Sequence, residues 1–227
     1  MTSERETALK SAEVNYPQLT EIRERALDVI EDAWVAGYIQ ALKDGNSRDS
    51  ESGLDTLKAG DRFIWKGYEW VCLDPDYNET ENEMGIFALM ANFYKDDIPF
   101  NTKEHAEACG AALNDFGHST ILEELDSLAL ELGYDDLIEH SVDPVADDGT
   151  DDYDKVLCRA FLLSCDEYRR YRQFIPLYDD WWWTCTPLSC SPGVAHNGRI
   201  VNAGGSLYSY SALNGNGLVP ACIIRKR

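Results

Sequence analysis

At 227 residues, with 44% hydrophobic and 11% aromatic content, the chain is long enough to bury a sizeable core and too apolar to be disordered over long stretches. Its 41 acidic against 20 basic side chains give a net charge of -21, which repels phosphate backbones and anionic membranes and disfavours direct nucleic-acid binding. No apolar run is long enough for a membrane span, and the opening MTSERETALK is polar where a secretory leader is apolar, so the expectation is a cytoplasmic or virion-associated protein without membrane insertion.

In chain order, residues 19–42 carry Leu19, Ile22, Ala26, Val29, Ala33 and Ala36 at spacings of three and four, a heptad-like stripe that predicts an N-terminal helix. With small Ala at half its positions, packing on the same chain is favoured, and a short oligomerising helix is the alternative. The polar run GNSRDSESG, residues 45–53, reads as a linker, dividing the chain into an N-terminal helical segment, 1–53, and a main domain, 54–227. Residues 61–74, with two β-rich runs around Lys66-Gly67, predict a hairpin, and residues 85–91 a third strand. Residues 103–132 read as helical along Leu113, Phe116, Ile121, Leu125 and Leu128, with Gly110 and Gly117 as interruptions.

The acidic loop at 143–154 lacks the alternating carboxylates of an EF-hand, so no calcium is expected there. Residues 156–163 predict one buried strand, and Ser164-Cys165-Asp166-Glu167 a capping box opening a short helix that ends by Pro176. The seven cysteines are odd in number and form no CxxC, and only four histidines accompany them; reduced thiols and no zinc are expected, with Cys72, Cys158 and Cys222 as buried small hydrophobes.

Residues 181–224 differ in composition from everything before them. Arg199 is their only charged side chain, and a Trp cluster is followed by Ser, Asn, Gly, Tyr and Thr between short apolar pairs. Tyr and Trp offer stiff amphipathic contact area, and Ser, Asn and Gly adaptable hydrogen bonding, the mixture of antibody paratopes. Asn197-Gly198, Gly204-Gly205 and Asn214-Gly215 read as turns and residues 218–224 as the last strand. Trp181, Trp182 and Trp183 are expected to alternate between core and surface, the exposed member serving as an anchor. The coarse sum is an α+β domain.

Gly60-Asp61, Gly67-Tyr68, Trp70, Leu73-Asp74, Phe161 to Ser164, Glu167-Tyr168, Tyr171, Trp181 to Trp183, Thr186-Pro187 and Gly217 to Ala221 together resemble a domain of gut bacteria and their phages and prophages. Such domains are similar to the C-type-lectin, formylglycine-generating-enzyme-type fold and to the variable proteins of diversity-generating retroelements. Two positions depart from that pattern: Thr184-Cys185 stands where the relatives carry Leu-Arg, and Leu218-Val219 where they carry Val-Arg.

The resemblance implies a C-type-lectin-like domain preceded by an N-terminal helix, and a non-enzymatic ligand-binding protein whose segment 181–224 is diversified for receptor recognition. The implied ligand site comprises Thr184, Cys185, Leu188, Ser189, Cys190, Ser191, His196, Asn197, Tyr208, Ser209, Tyr210, Ser211, Asn214 and Asn216, with a protein or glycan as partner, no metal and no cofactor. Tyr208 and Tyr210, two apart, would face one side as aromatic anchors. A phage structural accessory that assembles through the tail and the N-terminal helix is the second reading, with a homo-oligomer as its consequence. A copper oxidase using Cys185 and Cys190 is the third; their flanks do not resemble that enzyme's active-site stretch. No G-x-S-x-G elbow supports a nucleophilic triad.

Overall fold

The computed structural model describes residues 51–80 and 83–226. The helix expected over residues 19–42, and with it the oligomerising alternative, lies outside the described residues. The short helix α1 (Glu51–Leu54) precedes the hairpin of β1 (Arg62–Trp65) and β2 (Tyr68–Thr80). Lys66 and Gly67 both take positive φ, 52° and 81°, the backbone that a two-residue turn needs to match strand twist. There follow β3 (Glu83–Met90), β4 (Lys95–Pro99), α2 (Lys103–Cys109), a 3-10 turn (Phe116–His118), α3 (Thr120–Leu132) and a second 3-10 turn (Tyr134–Asp136). The short strands β5 (Leu137–Ile138), β6 (His140–Val142), β7 (Val156–Cys158) and β8 (Ala160–Phe161) lead to α4 (Cys165–Tyr171). The tail is β9 (Trp182–Pro187), β10 (Asn197–Val201), β11 (Leu207–Ser211), β12 (Gly215–Leu218) and β13 (Ala221–Arg225).

The strands make two curled sheets and a small ribbon. The first sheet runs β1-β2-β3-β13, and both β5 and β8 pair along the far side of β13; the second runs β11-β10-β9-β12-β4; β6 pairs with β7. Pairing is antiparallel throughout, except between β12 and β9, where Gly217 lies opposite Trp182. The chain crosses from the second sheet to the first at Val219-Pro220, since Pro220 has no N–H for a ladder. The last strand expected over 218–224 is therefore two strands in two sheets.

The expected α+β, C-type-lectin-like fold is not what the chain forms. Strand accounts for 38% and helix for 20%, and the sheets are curled and antiparallel. The balance shifts because β2 continues well past the expected hairpin to Thr80, and because only parts of residues 103–132 are helical. Gly110, at φ 65°, ends α2, Leu113 lies in a turn, and Ser119 restarts the helix as α3 by accepting from the Leu122 N–H. The single strand expected over 156–163 breaks at Arg159 into β7 and β8, which join different sheets. The capping box at Ser164 and Glu167 forms as the residues imply.

One contiguous core joins both sheets to α3 and α4, including Trp70, Phe87, Phe161, Leu125, Trp182 and Trp183. Cys72, Cys158 and Cys222 are buried in it as expected. A polar joint lies against this core. His140 on β6 places Nδ1 at 2.7 Å from Glu79 Oε2 on β2 and Nε2 at 3.5 Å from Glu167 Oε1 on α4, with Phe161 packed on the ring at 4.2 Å. Burial of the ring acts to lower its pKa, but hydrogen bonds to Glu167 and Glu79 outweigh it and hold His140 above the ordinary histidine value. A raised folded-state pKa means that the joint stabilises fully below the unfolded value of about 6.5 and that this contribution is lost as pH rises through the folded pKa. Denaturant unfolding from pH 5.5 upward should therefore show the stability gap between the native chain and His140→Gln narrowing as pH rises; a constant gap would show that the charge of His140 plays no part.

Candidate functional site

The tail is built around β9. Trp182 and Trp183 are both buried, Trp182 edge-on to Tyr168 and Tyr178 and Trp183 edge-on to Phe100. Successive strand residues point to opposite faces, so β9 is covered on both sides. The expected alternation of core and surface fails for that reason: only Trp181, the residue before the strand, reaches solvent, and it is half-buried. Its position is fixed by backbone, since its N–H donates to Asp180 Oδ1 at 2.8 Å and its carbonyl accepts from the Gly217 N–H at 2.8 Å.

Trp181 stacks on Tyr208, with ring centroids 5.9 Å apart at 19°, and meets Tyr210 edge-on at 5.7 Å and 71°. Tyr208 is 51% and Tyr210 39% exposed. They lie two apart on the edge strand β11, opposite Ile200 and Gly198 of β10, so they share one side as the sequence implies. The hairpin turns at Asn202 to Ser206, where Gly205 takes φ 77°. Asn197-Gly198, read as a turn, instead opens β10.

A cleft of about 400 Å³ adjoins this aromatic face, lined by Phe93, Asp96, Asp97, Asp180, Trp181, Tyr210, Gly215, Asn216 and Gly217. Its size falls within the range of small-ligand sites. The register of β4 against β12 slips between Asn216 and Leu218, which accommodates one extra residue on β4 around Asp96 and Asp97; Asp97 takes φ 53°, a bulge conformation that Asp tolerates. Two glycines let the walls close in. A Cβ on Gly215 would stand 1.9 Å from Asp97 Oδ1, and one on Gly217 would stand 2.5 Å from the Phe93 ring. Phe93 is stacked on buried Tyr178 at 5.3 Å and 15°, and the Tyr178 hydroxyl donates to the Met90 carbonyl. Burial drives the Tyr178 phenol far above its ordinary pKa, so it stays a donor.

The other expected site residues divide by burial. Thr184, Cys185, Ser189 and Cys190 are buried. Thr184 Oγ1 donates to the Arg199 carbonyl at 2.9 Å, the Ser189 carbonyl accepts from Asn114 Nδ2 at 3.0 Å, and the Cys190 N–H donates to Thr150 Oγ1 at 2.8 Å. Burial pushes the Cys185 thiol well above its ordinary pKa, so it is held as the unreactive thiol. These four are struts for the chain behind β10. Leu188, Ser191 and Asn197 are partly exposed around the loop after β9, where His196 is exposed; Ser211 is partly exposed, and Ser209 and Asn214 are exposed. Asn216 alone of the polar candidates lines the cleft. The sequence reading missed Phe93, Asp96, Asp97 and Asp180. Asp180 adjoins the Trp cluster; Asp96 and Asp97 are brought in by β4 and Phe93 by the connection before it, with no local signal.

A second, smaller cleft of about 50 Å³ lies elsewhere and includes Trp65, Lys66, Asp136 and Arg225. Among the described residues, no group of three or more His, Cys, Asp or Glu side chains could hold a metal ion, and no helix is long and apolar enough to cross a membrane. No protein-family model matches the chain, and neither a curated protein nor a solved structure matches it significantly.

Asn216 is 8% exposed, and its Nδ2 is sealed from water without a hydrogen-bond partner among the described residues. An unpaired buried N–H costs about 1–3 kcal/mol. Asn216→Leu, similar in volume, should therefore raise the unfolding free energy by about 1 kcal/mol in urea titrations; a loss of stability would show that the amide is satisfied in the free protein.

Proposed function

We propose that the protein is a non-enzymatic ligand-binding protein whose binding face is the β10–β11 hairpin with the adjoining cleft. The observation that supports this best is the ordered, exposed aromatic group of Trp181, Tyr208 and Tyr210 at the rim of that cleft. Large exposed aromatics held rigid against each other lose little entropy when a ligand covers them, which is why such groups dominate binding energy. The buried double tryptophan of β9 supplies the rigidity.

The resemblance to variable proteins of diversity-generating retroelements extends this reading without relying on their fold. Diversification would be confined to side chains whose replacement leaves the packing intact: His196, Tyr208, Ser209, Tyr210, Asn214 and, less freely, Ser191, Asn197 and Ser211. Thr184, Cys185, Ser189 and Cys190 would stay constant, since each is buried and the Thr184, Ser189 and Cys190 side chains make hydrogen bonds within the tail and its supporting loop. Amplicon sequencing of natural populations should then find substitutions at the first set and not at the buried four; variation spread over both would contradict the assignment.

Binding itself is tested by Tyr208→Ala with Tyr210→Ala on arrays of short peptides and glycans. The double variant should lose the ligands that the native chain captures while giving up no more than about 1–2 kcal/mol of stability, the scale of the aromatic contacts removed. Capture that survives the double substitution would place the site elsewhere.

A further inference from the structure

We infer that the cleft receives a cationic side chain, the ammonium of a lysine or the guanidinium of an arginine, carried by a peptide ligand. This rests on the proposed reading of the face as a ligand site and names what the site takes. Asp96, Asp97 and Asp180 line one cleft, and among the described residues none of the three is ion-paired. Lys95, the only basic residue of β4, is engaged by Glu124 instead. Three carboxylates around one space repel each other, and a bound cation removes that cost.

The aromatic walls point the same way. Phe93, Trp181 and Tyr210 line the same space, and a cation over an aromatic face is attracted by the ring quadrupole most strongly where water is displaced. The net charge of -21 favours encounter with a basic ligand over any anionic one.

The balance of donors and acceptors separates a cation from a sugar. Ionised carboxylates only accept hydrogen bonds, and the cleft lining carries three of them, six oxygens, against the donors of three side chains, Trp181, Tyr210 and Asn216. Sugar hydroxyls both donate and accept and would need a more even set. Ammonium and guanidinium groups only donate, so they match the carboxylates. Asn216, whose Nδ2 has no partner among the described residues, lines the same cleft, and at about 400 Å³ the cleft holds more than one side chain. A bare metal cation fits less well, because the carboxylates line the walls without grouping as metal ligands.

The test uses the full chain, calorimetry and tryptophan fluorescence. The probes are Ac-Gly-Lys-Gly-NH2 and Ac-Gly-Arg-Gly-NH2, their norleucine and citrulline counterparts, and maltotriose as a neutral sugar. The cationic peptides should bind at least about tenfold more tightly than their neutral counterparts, with an advantage that shrinks as salt rises. Asp96→Asn, Asp97→Asn and Asp180→Asn combined should erase that advantage; Asn at position 97 keeps the positive φ accessible.

Equal binding of charged and neutral peptides, no binding of either, or a cationic preference untouched by the triple substitution would overturn the inference. If maltotriose or a neutral peptide binds best and binding disappears with Tyr208→Ala and Tyr210→Ala, the ligand-binding reading stands and the cationic one falls. If no probe and no array ligand depends on the two tyrosines, both fall.

Discussion

Trp183 donates its indole N–H to the Ile98 carbonyl at 2.8 Å, which carries β9 across β12 to β4, while Trp182 on the other face of β9 closes against Tyr168 and Tyr178. Everything proposed for the tail depends on this double burial. Truncating a buried tryptophan costs about 3–5 kcal/mol, a large part of a domain's net stability, so β9 has little freedom to move. Its rigidity passes to Trp181 through the backbone bond to Gly217, and to the cleft wall through Tyr178, which stacks on Phe93. A polar, glycine-rich segment thus acquires fixed geometry from two side chains that no ligand touches.

The same arrangement explains why so polar a tail can be structural. Its hydrogen-bonding side chains serve two purposes. Thr184 acts inward, tying the strand to the Arg199 carbonyl, while Arg199 itself lies beside Asp147 of the acidic loop at 3.7 Å. Tyr208, Ser209, Tyr210 and Asn214 act outward, on an edge strand and its turn that bear little of the core. Separation of the two sets lets one segment be both scaffold and contact surface.

Local patterns carried over well where the chemistry is local. Lys66-Gly67 turns the first hairpin, Ser164 and Glu167 cap α4, Gly110 ends α2, and Tyr208 with Tyr210 share a side, because each depends only on neighbours in sequence. Readings that needed long-range partners failed. Asn197-Gly198 carries a strong turn signal, yet pairing with Tyr210 and Pro187 draws it into β10. Residues 156–163 look like one strand, but β6 claims the first half and β13 the second. The fold class erred for the same reason, since sheet order is set by β13 reaching β3, β5 and β8, none of which is its neighbour in sequence. Half of the cleft was equally hidden: Asp96 and Asp97 are some 85 residues from Asp180 and meet it only through the β4–β12 pairing.

The most direct measurement is fluorine NMR of the full chain labelled with 5-fluorotryptophan, screened against a fragment library. The chain has six tryptophans, of which Trp181 lines the proposed cleft, Trp65 lines the smaller one, and Trp182 and Trp183 are buried beneath. If the aromatic face and its cleft are the ligand site, fragments will move the Trp181 resonance and leave Trp182 and Trp183 nearly unchanged. Fragment-induced shifts that collect at Trp65 while Trp181 stays still would contradict it.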